Sequence, residues 1–158
     1  MATEIERKFL VQGDGWRTVS GTRYRQGYLA DTNGRTVRVR VAGDRGYITI
    51  KGPTRGVARA EFEYEIPLDD AEELLDTLCD RPLIEKTRYR IPWGDLAWEV
   101  DEFAGENQGL IVAEIELPSV DRAIDLPDWI GEEVSHDARY YNVNLAKHPF
   151  TNWSNQGG

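Results

Sequence analysis

Residues 2–12 read ATEIERKFLVQ, and the fold turns on how that stretch alternates. Glu4, Glu6 and Lys8 share one parity, while Ile5, Arg7 and Phe9 share the other. A period of two is the spacing of a strand whose side chains point to opposite faces of a sheet. A face that simply meets water would mix Thr, Ser, Lys and Glu; this one carries two acids and then a base.

The pattern continues outward. Arg38 and Arg40 alternate with Val37, Val39 and Val41, and Lys51 ends a run whose other parity holds Ile48 and Ile50. Glu61, Glu63 and Glu65 alternate with Phe62, Tyr64 and Ile66, and Lys86, Arg88 and Arg90 with Thr87, Tyr89 and Ile91. Glu99 and Asp101 flank Val100, and Glu114 and Glu116 flank Ile115. The periodicity predicts strands at about 3–12, 22–31, 35–42, 45–51, 58–67, 83–92, 96–103 and 110–118. Asn33-Gly34, Gly43-Asp44-Arg45-Gly46 and Trp93-Gly94-Asp95 are turn sequences that favour antiparallel neighbours.

Three helices are expected. Asp69-Asp70 caps one over about 70–80, with Ala71, Leu74, Leu75 and Leu78 on a single stripe. Pro127–Ile130 suggests a short one, and Ser135 caps another over about 137–147, halted before Pro149. Residues 1–150 read as one domain, and residues 151–158 as a flexible tail.

An antiparallel sheet with one wet face produces alternation unaided. Strands of a single charge sign are another matter, because like charges opposite one another on a sheet are destabilising. Acidic and basic strands together suggest two ligands of opposite charge. Carboxylates without His or Cys partners suit hard, oxygen-preferring ions such as magnesium or manganese, and Lys and Arg suit phosphate oxygens. Both sets can meet only if the sheet curls with its charged face inward, and about eight strands close around one small ligand. The expected fold is therefore α+β, mainly antiparallel β: an eight-stranded closed, tunnel-like barrel with a charged lumen and a few helices outside and at its mouth.

Composition narrows the class of function. A net charge of −9 argues against nucleic-acid or membrane-surface binding by a bulk positive field. The start of the chain is charged from Glu4 onward, unlike a signal peptide, and no run approaches the ~18 apolar residues of a membrane span. One cysteine, Cys79, leaves no internal disulfide and fits a cytoplasmic protein, while His136 and His148 are too few for a histidine-based zinc site.

The ordered series Glu4-Ile5-Glu6-Arg7-Lys8, Val37-Arg38-Val39-Arg40, Thr49-Ile50-Lys51, Glu61-Phe62-Glu63, Lys86-Thr87-Arg88, Glu99-Val100-Asp101, Glu114-Ile115-Glu116 and Arg139-Tyr140-Tyr141-Asn142 resembles the CYTH, or triphosphate tunnel metalloenzyme, superfamily. The resemblance covers about residues 3–148. It implies hydrolysis of inorganic triphosphate (tripolyphosphate) to pyrophosphate and phosphate by a metal-activated water, with magnesium or manganese as cofactor and two ions when substrate is bound. It further implies that Glu4, Glu6, Glu114 and Glu116 hold metal, with Asp101, Glu61 and Glu63 as further ligands or supporting acceptors. Lys8, Arg38, Arg40, Lys51, Lys86 and Arg88 would act as the catalytic triphosphate clamp, and Arg139 would reach one tunnel mouth. On the second strand Arg25 is placed ahead of Tyr28 as a substrate contact.

Sister activities on the same fold, namely thiamine triphosphatase, nucleoside triphosphatase and class IV adenylyl cyclase, remain alternatives. So does a non-catalytic polyphosphate or nucleotide-binding module; a lipid-carrying barrel would need the opposite parity inside. With the charged face inward, Ile5, Phe9, Val37, Val39, Ile48 and Ile50 point out and need cover, which predicts a homodimer.

Overall fold

The computed structural model describes residues 2–155. In chain order these form β1 (Ala2–Val11), β2 (Thr22–Thr32), β3 (Arg35–Ala42), β4 (Arg45–Lys51), β5 (Ala58–Ile66), α1 (Leu68–Thr77), β6 (Ile84–Trp93), β7 (Leu96–Phe103), β8 (Ile111–Glu116), β9 (Ile130–Glu133) and α2 (Asn142–Lys147). Short 3-10 turns lie at Gly105–Asn107, Ala138–Tyr140 and Phe150–Asn155. No helix among the described residues is long and apolar enough to cross a membrane.

Neighbouring strands run antiparallel in the order β5-β4-β3-β2-β6-β7-β8-β1, and the start of β1 pairs back onto β5, closing an eight-strand ring. The seam runs from Ala2 opposite Glu61 to Ile5 opposite Ala58. Closure converts strand parity into inside and outside. It also eases the like-charge problem within single strands. Register sets Lys8 opposite Glu114, Lys51 opposite Glu61 and Arg88 opposite Asp101, while Glu6 faces Glu116 and Glu99 faces Glu114, so the relief is partial.

The outward apolar side chains are covered in two places. α1 lays Ala71 and Leu75 over Val39 and Val41, with Cys79 in the same cluster. On the far side Phe9, Trp98, Val100 and Ile115 pack with Trp16 from the β1–β2 connection and with Trp129 and Ile130, and Trp93 joins the edge. The rings meet edge to face, Phe9–Trp98 at 5.5 Å and Trp98–Trp129 at 5.6 Å, as aromatic quadrupoles prefer. A third cluster stoppers one end of the ring. Tyr28, Ile84, Phe103 and Val112 from the strands meet Val134, Tyr140, Leu145 and Ala146, with Trp153 packed against them. Full burial of a side chain such as Leu75 or Leu145 contributes about 1.5–3 kcal/mol.

Five expectations change. The short helix at Pro127–Ile130 is replaced by β9 beginning at Ile130; beyond the seam the end of β1 has a free edge, and Phe9 and Val11 take Glu133 and Ile130 as partners. The long carboxy-terminal helix is two pieces, because Tyr141 is extended (ψ 136°) between the 3-10 turn and α2. Asp137, not Ser135, caps the first piece by accepting from the Arg139 N–H. The tail continues into the 3-10 turn at Phe150–Asn155, where Trp153 stacks edge-on against Tyr140 and Phe150; residues 156–158 lie outside the described residues. Finally, Phe9 and Val39 are covered within the chain, leaving Ile50, Phe62 and Tyr64 as the exposed apolar group on β4 and β5.

Candidate active site

Inside the ring lies a chamber of about 160 Å³ whose lining, Asn142 apart, is wholly charged. β1 contributes Glu4 and Glu6, β3 contributes Arg38 and Arg40, and β4 contributes Lys51. The rest comes from Glu61 and Glu63 of β5, Arg88 of β6, Glu99 of β7, and Glu114 and Glu116 of β8. A smaller chamber of about 60 Å³ shares Glu4, Glu6, Arg38, Lys51 and Asn142 and adds Lys8, Tyr28, Thr36 and Arg59. The polar chamber is about half the ~300 Å³ lower bound of pockets for drug-sized organic ligands.

The charges form linked groups. Lys51 Nζ donates to Glu4 at 3.0 and 3.1 Å and lies 3.4 Å from Glu61. Arg38 donates to Thr49 Oγ, Thr49 donates to Glu63 at 2.8 Å, and Arg40 reaches the same carboxylate at 3.3 Å. Lys8 Nζ is 3.5 Å from Glu114 and donates to the Tyr140 carbonyl at 3.1 Å. Its backbone N–H donates to Ser135 Oγ, fastening β1 to the closing segment.

Behind the chamber wall, Asp101 takes hydrogen bonds from Lys86 at 2.7 Å and from Arg88 at 2.7 and 2.9 Å. Lys86 and Asp101 are each 1% exposed. Both Asp101 oxygens are engaged by cations, so this carboxylate aims Arg88 rather than presenting a face to metal. Lys86 likewise stands behind the lining, its charge directed at Asp101. Burial drops the Lys86 ammonium to about 8, only partly offset by Asp101. Asp101 is held below the usual carboxylate range although burial opposes it, because Arg88 and Lys86 outweigh that burial.

Glu6 and Glu114 behave as a pair. Burial, then Glu114 and Glu4, push the Glu6 carboxyl well above its ordinary range. Burial also acts against an ionised Glu114, but Lys8, Arg88 and Lys86 overcome it and hold that group low, with a hydrogen bond from Glu6. Glu61 is raised by burial and Glu4, and Glu116 by burial, Glu4 and Glu99. These are carboxylates crowded beyond what the local cations neutralise. An oxygen-only donor set held in that condition fits a hard divalent cation. Among the described residues no three carboxylates close on one point as a ready ligand set; Lys51 stands between Glu4 and Glu61.

Two expected substrate contacts lie elsewhere. Arg25 faces outward and pairs with Asp76 of α1 at 3.4 Å. Its parity mate Gly27 explains why: a Cβ there would fall 2.7 Å from Leu83 Cδ2 and 2.8 Å from Cys79 Cβ, so this face of β2 lies beneath the α1 end. Tyr28, of the opposite parity, lines the smaller chamber. Arg139 is exposed at the surface, forked onto Asp137 and stacked over Tyr140 and Trp153. Thr49, Arg59 and Asn142 join the site without having been foreseen. Thr49 could have been found from parity with Lys51, and Asn142 from its place in the Arg-Tyr-Tyr-Asn sequence.

The chain matches the CYTH domain model over residues 2–148. It is 51% identical over 154 residues to an inorganic triphosphatase of Acetivibrio thermocellus, covering 97% of this chain and 99% of that protein. Identity to an inorganic triphosphatase of Nitrosomonas europaea is 40% over 149 residues, covering 91% and 97%. A crystal structure of an inorganic triphosphatase superposes with a TM-score of 0.65 at 38% identity, covering 92% of this chain and 95% of that one.

Proposed function

The chain belongs to the CYTH family, and from that premise we propose that it hydrolyses inorganic triphosphate to pyrophosphate and phosphate. The observation that carries this reading is the small chamber in which basic and acidic side chains face one another with no apolar wall. A triphosphate anion is small, highly charged and rich in oxygen acceptors, and it matches that lining more closely than a bulky organic ester does. That both relatives are inorganic triphosphatases supports the same substrate class.

Divalent metal is required on this reading, magnesium or manganese, with two ions when substrate is bound. Glu4, Glu6, Glu114 and Glu116 would hold it, with Glu61 and Glu63 close by. When bound there, the metal would supply charge neutralisation for phosphate oxygens and acidification of water as a nucleophile. The protein's own side chains do the rest. Arg38, Arg40, Lys51 and Arg88 receive the phosphate oxygens in the polar chamber, and Lys8 does so from the smaller one. Asp101, held by Lys86, fixes the plane of the Arg88 guanidinium, so the donor is aimed before substrate arrives. Oriented donors in a site shielded from bulk water cost little reorganisation as charge shifts in phosphoryl transfer.

The test is phosphate release from tripolyphosphate, ATP and thiamine triphosphate, each with magnesium, with manganese and with chelator. Metal-dependent release that favours tripolyphosphate is expected. Preference for either organic ester would transfer the assignment to a sister activity, and tight binding without turnover would make the chain a sensor.

We also propose a cytoplasmic location, from the lone thiol at Cys79, and a homodimer through the β4–β5 outer face. There Ile50 pairs with Phe62 and Ile48 with Tyr64 across the two strands. Sedimentation of a Phe62→Glu, Tyr64→Glu double variant should give half the mass of the parent.

A further inference from the structure

Tyr24 has no part in the reading above, yet its ring lies against two arginines of the basic clamp. The Arg40 and Arg88 guanidinium carbons sit 4.9 Å from its centroid, and Lys86 Nζ is 5.9 Å away. Tyr24 shares the inward parity of Gln26 and Tyr28, and register puts its backbone opposite Lys86 on β6 and Ala42 on β3. Tyr47 meets Arg40 as well, at 5.4 Å. A ring present only to fill space would be expected to meet aliphatic groups, whereas this one gathers like charges.

Those charges repel. Burial, then Arg38 and Arg88, lower the Arg40 pKa, and Arg88 also weighs against the charge on Lys86. Asp101 offsets the repulsion at Lys86 and Arg88 but makes no hydrogen bond to Arg40, whose acidic partner is the exposed Glu63. Arg40 Nε is buried without a hydrogen-bond partner. An aromatic face carries negative charge density in its quadrupole and attracts cations within ~6 Å. It does so without a formal negative charge that would compete with an incoming anion, as another carboxylate would.

We propose that Tyr24 is a positioning residue for the triphosphate clamp: its ring holds Arg40 and Arg88 side by side, facing the chamber, before the anion binds. The proposal rests on the triphosphatase reading for the anion's identity, but the ring's grip on the two arginines stands on geometry alone. Two substitutions separate the ring from its hydroxyl and from its bulk: Tyr24→Phe keeps the quadrupole, and Tyr24→Leu removes it while staying apolar.

The experiment compares parent, Y24F and Y24L by steady-state hydrolysis of tripolyphosphate and by NMR of the Arg40 and Arg88 guanidiniums in substrate-free protein. Y24F should match the parent in both. Y24L should raise KM about tenfold, as expected for roughly two lost cation–π contacts, and should speed rotation about the Arg40 and Arg88 Nε–Cζ bonds. Parent-like NMR rates in Y24L would overturn the proposal, as would equal impairment of Y24F and Y24L, which would assign the role to the hydroxyl. Should Y24L fail to fold, unchanged guanidinium rates in Tyr24→Met would overturn it equally. A parent that does not hydrolyse tripolyphosphate would refute the substrate reading and leave the guanidinium comparison to decide the role of the ring.

Discussion

At the scale of single residues, the site is a set of charges each held by a particular neighbour. Lys8 is buried, and although burial opposes its charge, Glu114, Glu6 and Asp101 outweigh that cost and keep the ammonium protonated. Lys8→Ala should lower kcat about 10²–10³-fold, the usual effect of deleting one oriented donor, measured as phosphate release at saturating substrate and metal. Asp101→Asn strips the shared counter-charge from Lys86 and Arg88 and should destabilise the fold by about 3–5 kcal/mol, as for a buried pair that loses one partner; urea unfolding measures it. Parity along the chain brings Lys8, Arg38, Arg40, Lys51 and Arg88 to the chamber linings, because inside and outside follow from alternation once the ring closes. It fails at Arg25, since a strand with arginines on one parity and tyrosines on the other leaves two chemically sensible faces. The crowding of Gly27 against Leu83 and Cys79 breaks the tie, and that contact joins β2 to residues more than fifty positions away.

At the scale of elements, strand limits follow the hydrophobic alternation closely, and the differences arise where partners distant in sequence decide. β9 forms because β1 needs an edge partner beyond the seam, which local propensity at Pro127–Ile130 does not express. The break at Tyr141 exists because Tyr140 turns into the stopper while Asn142 reaches the chamber, a demand no single helical stripe meets. α1, by contrast, is legible from its own stripe, and it backs the strand that carries Arg38 and Arg40. Leu75→Ala should therefore destabilise by about 2–5 kcal/mol while leaving KM near the parent value at low temperature. Calorimetric unfolding alongside kinetics tests the split.

At the scale of the whole molecule, the crowded carboxylates set the response to pH. Glu6, Glu61 and Glu116 have folded values above their unfolded ones, so wherever they are ionised the fold carries charge that the unfolded chain bears more cheaply. Lowering pH towards the ordinary carboxylate range protonates them in the folded state before the unfolded one, and metal-free protein should gain stability as it does so. Glu114 and Asp101 have depressed values and contribute stability that is lost only at lower pH, while Lys86, near 8, is already protonated throughout. Thermal melts at stepped pH should rise as pH falls from neutral towards the ordinary carboxylate range without metal. With saturating magnesium the rise should vanish, because protons then compete with the cation. A second property of the molecule follows from where its indoles lie. Trp16, Trp93, Trp98 and Trp129 belong to the outer cluster and Trp153 to the stopper, so none borders the charged chamber. Intrinsic ultraviolet emission from the first four reports unfolding and is silent to occupancy, so a spectral change on adding tripolyphosphate would signal movement around Trp153.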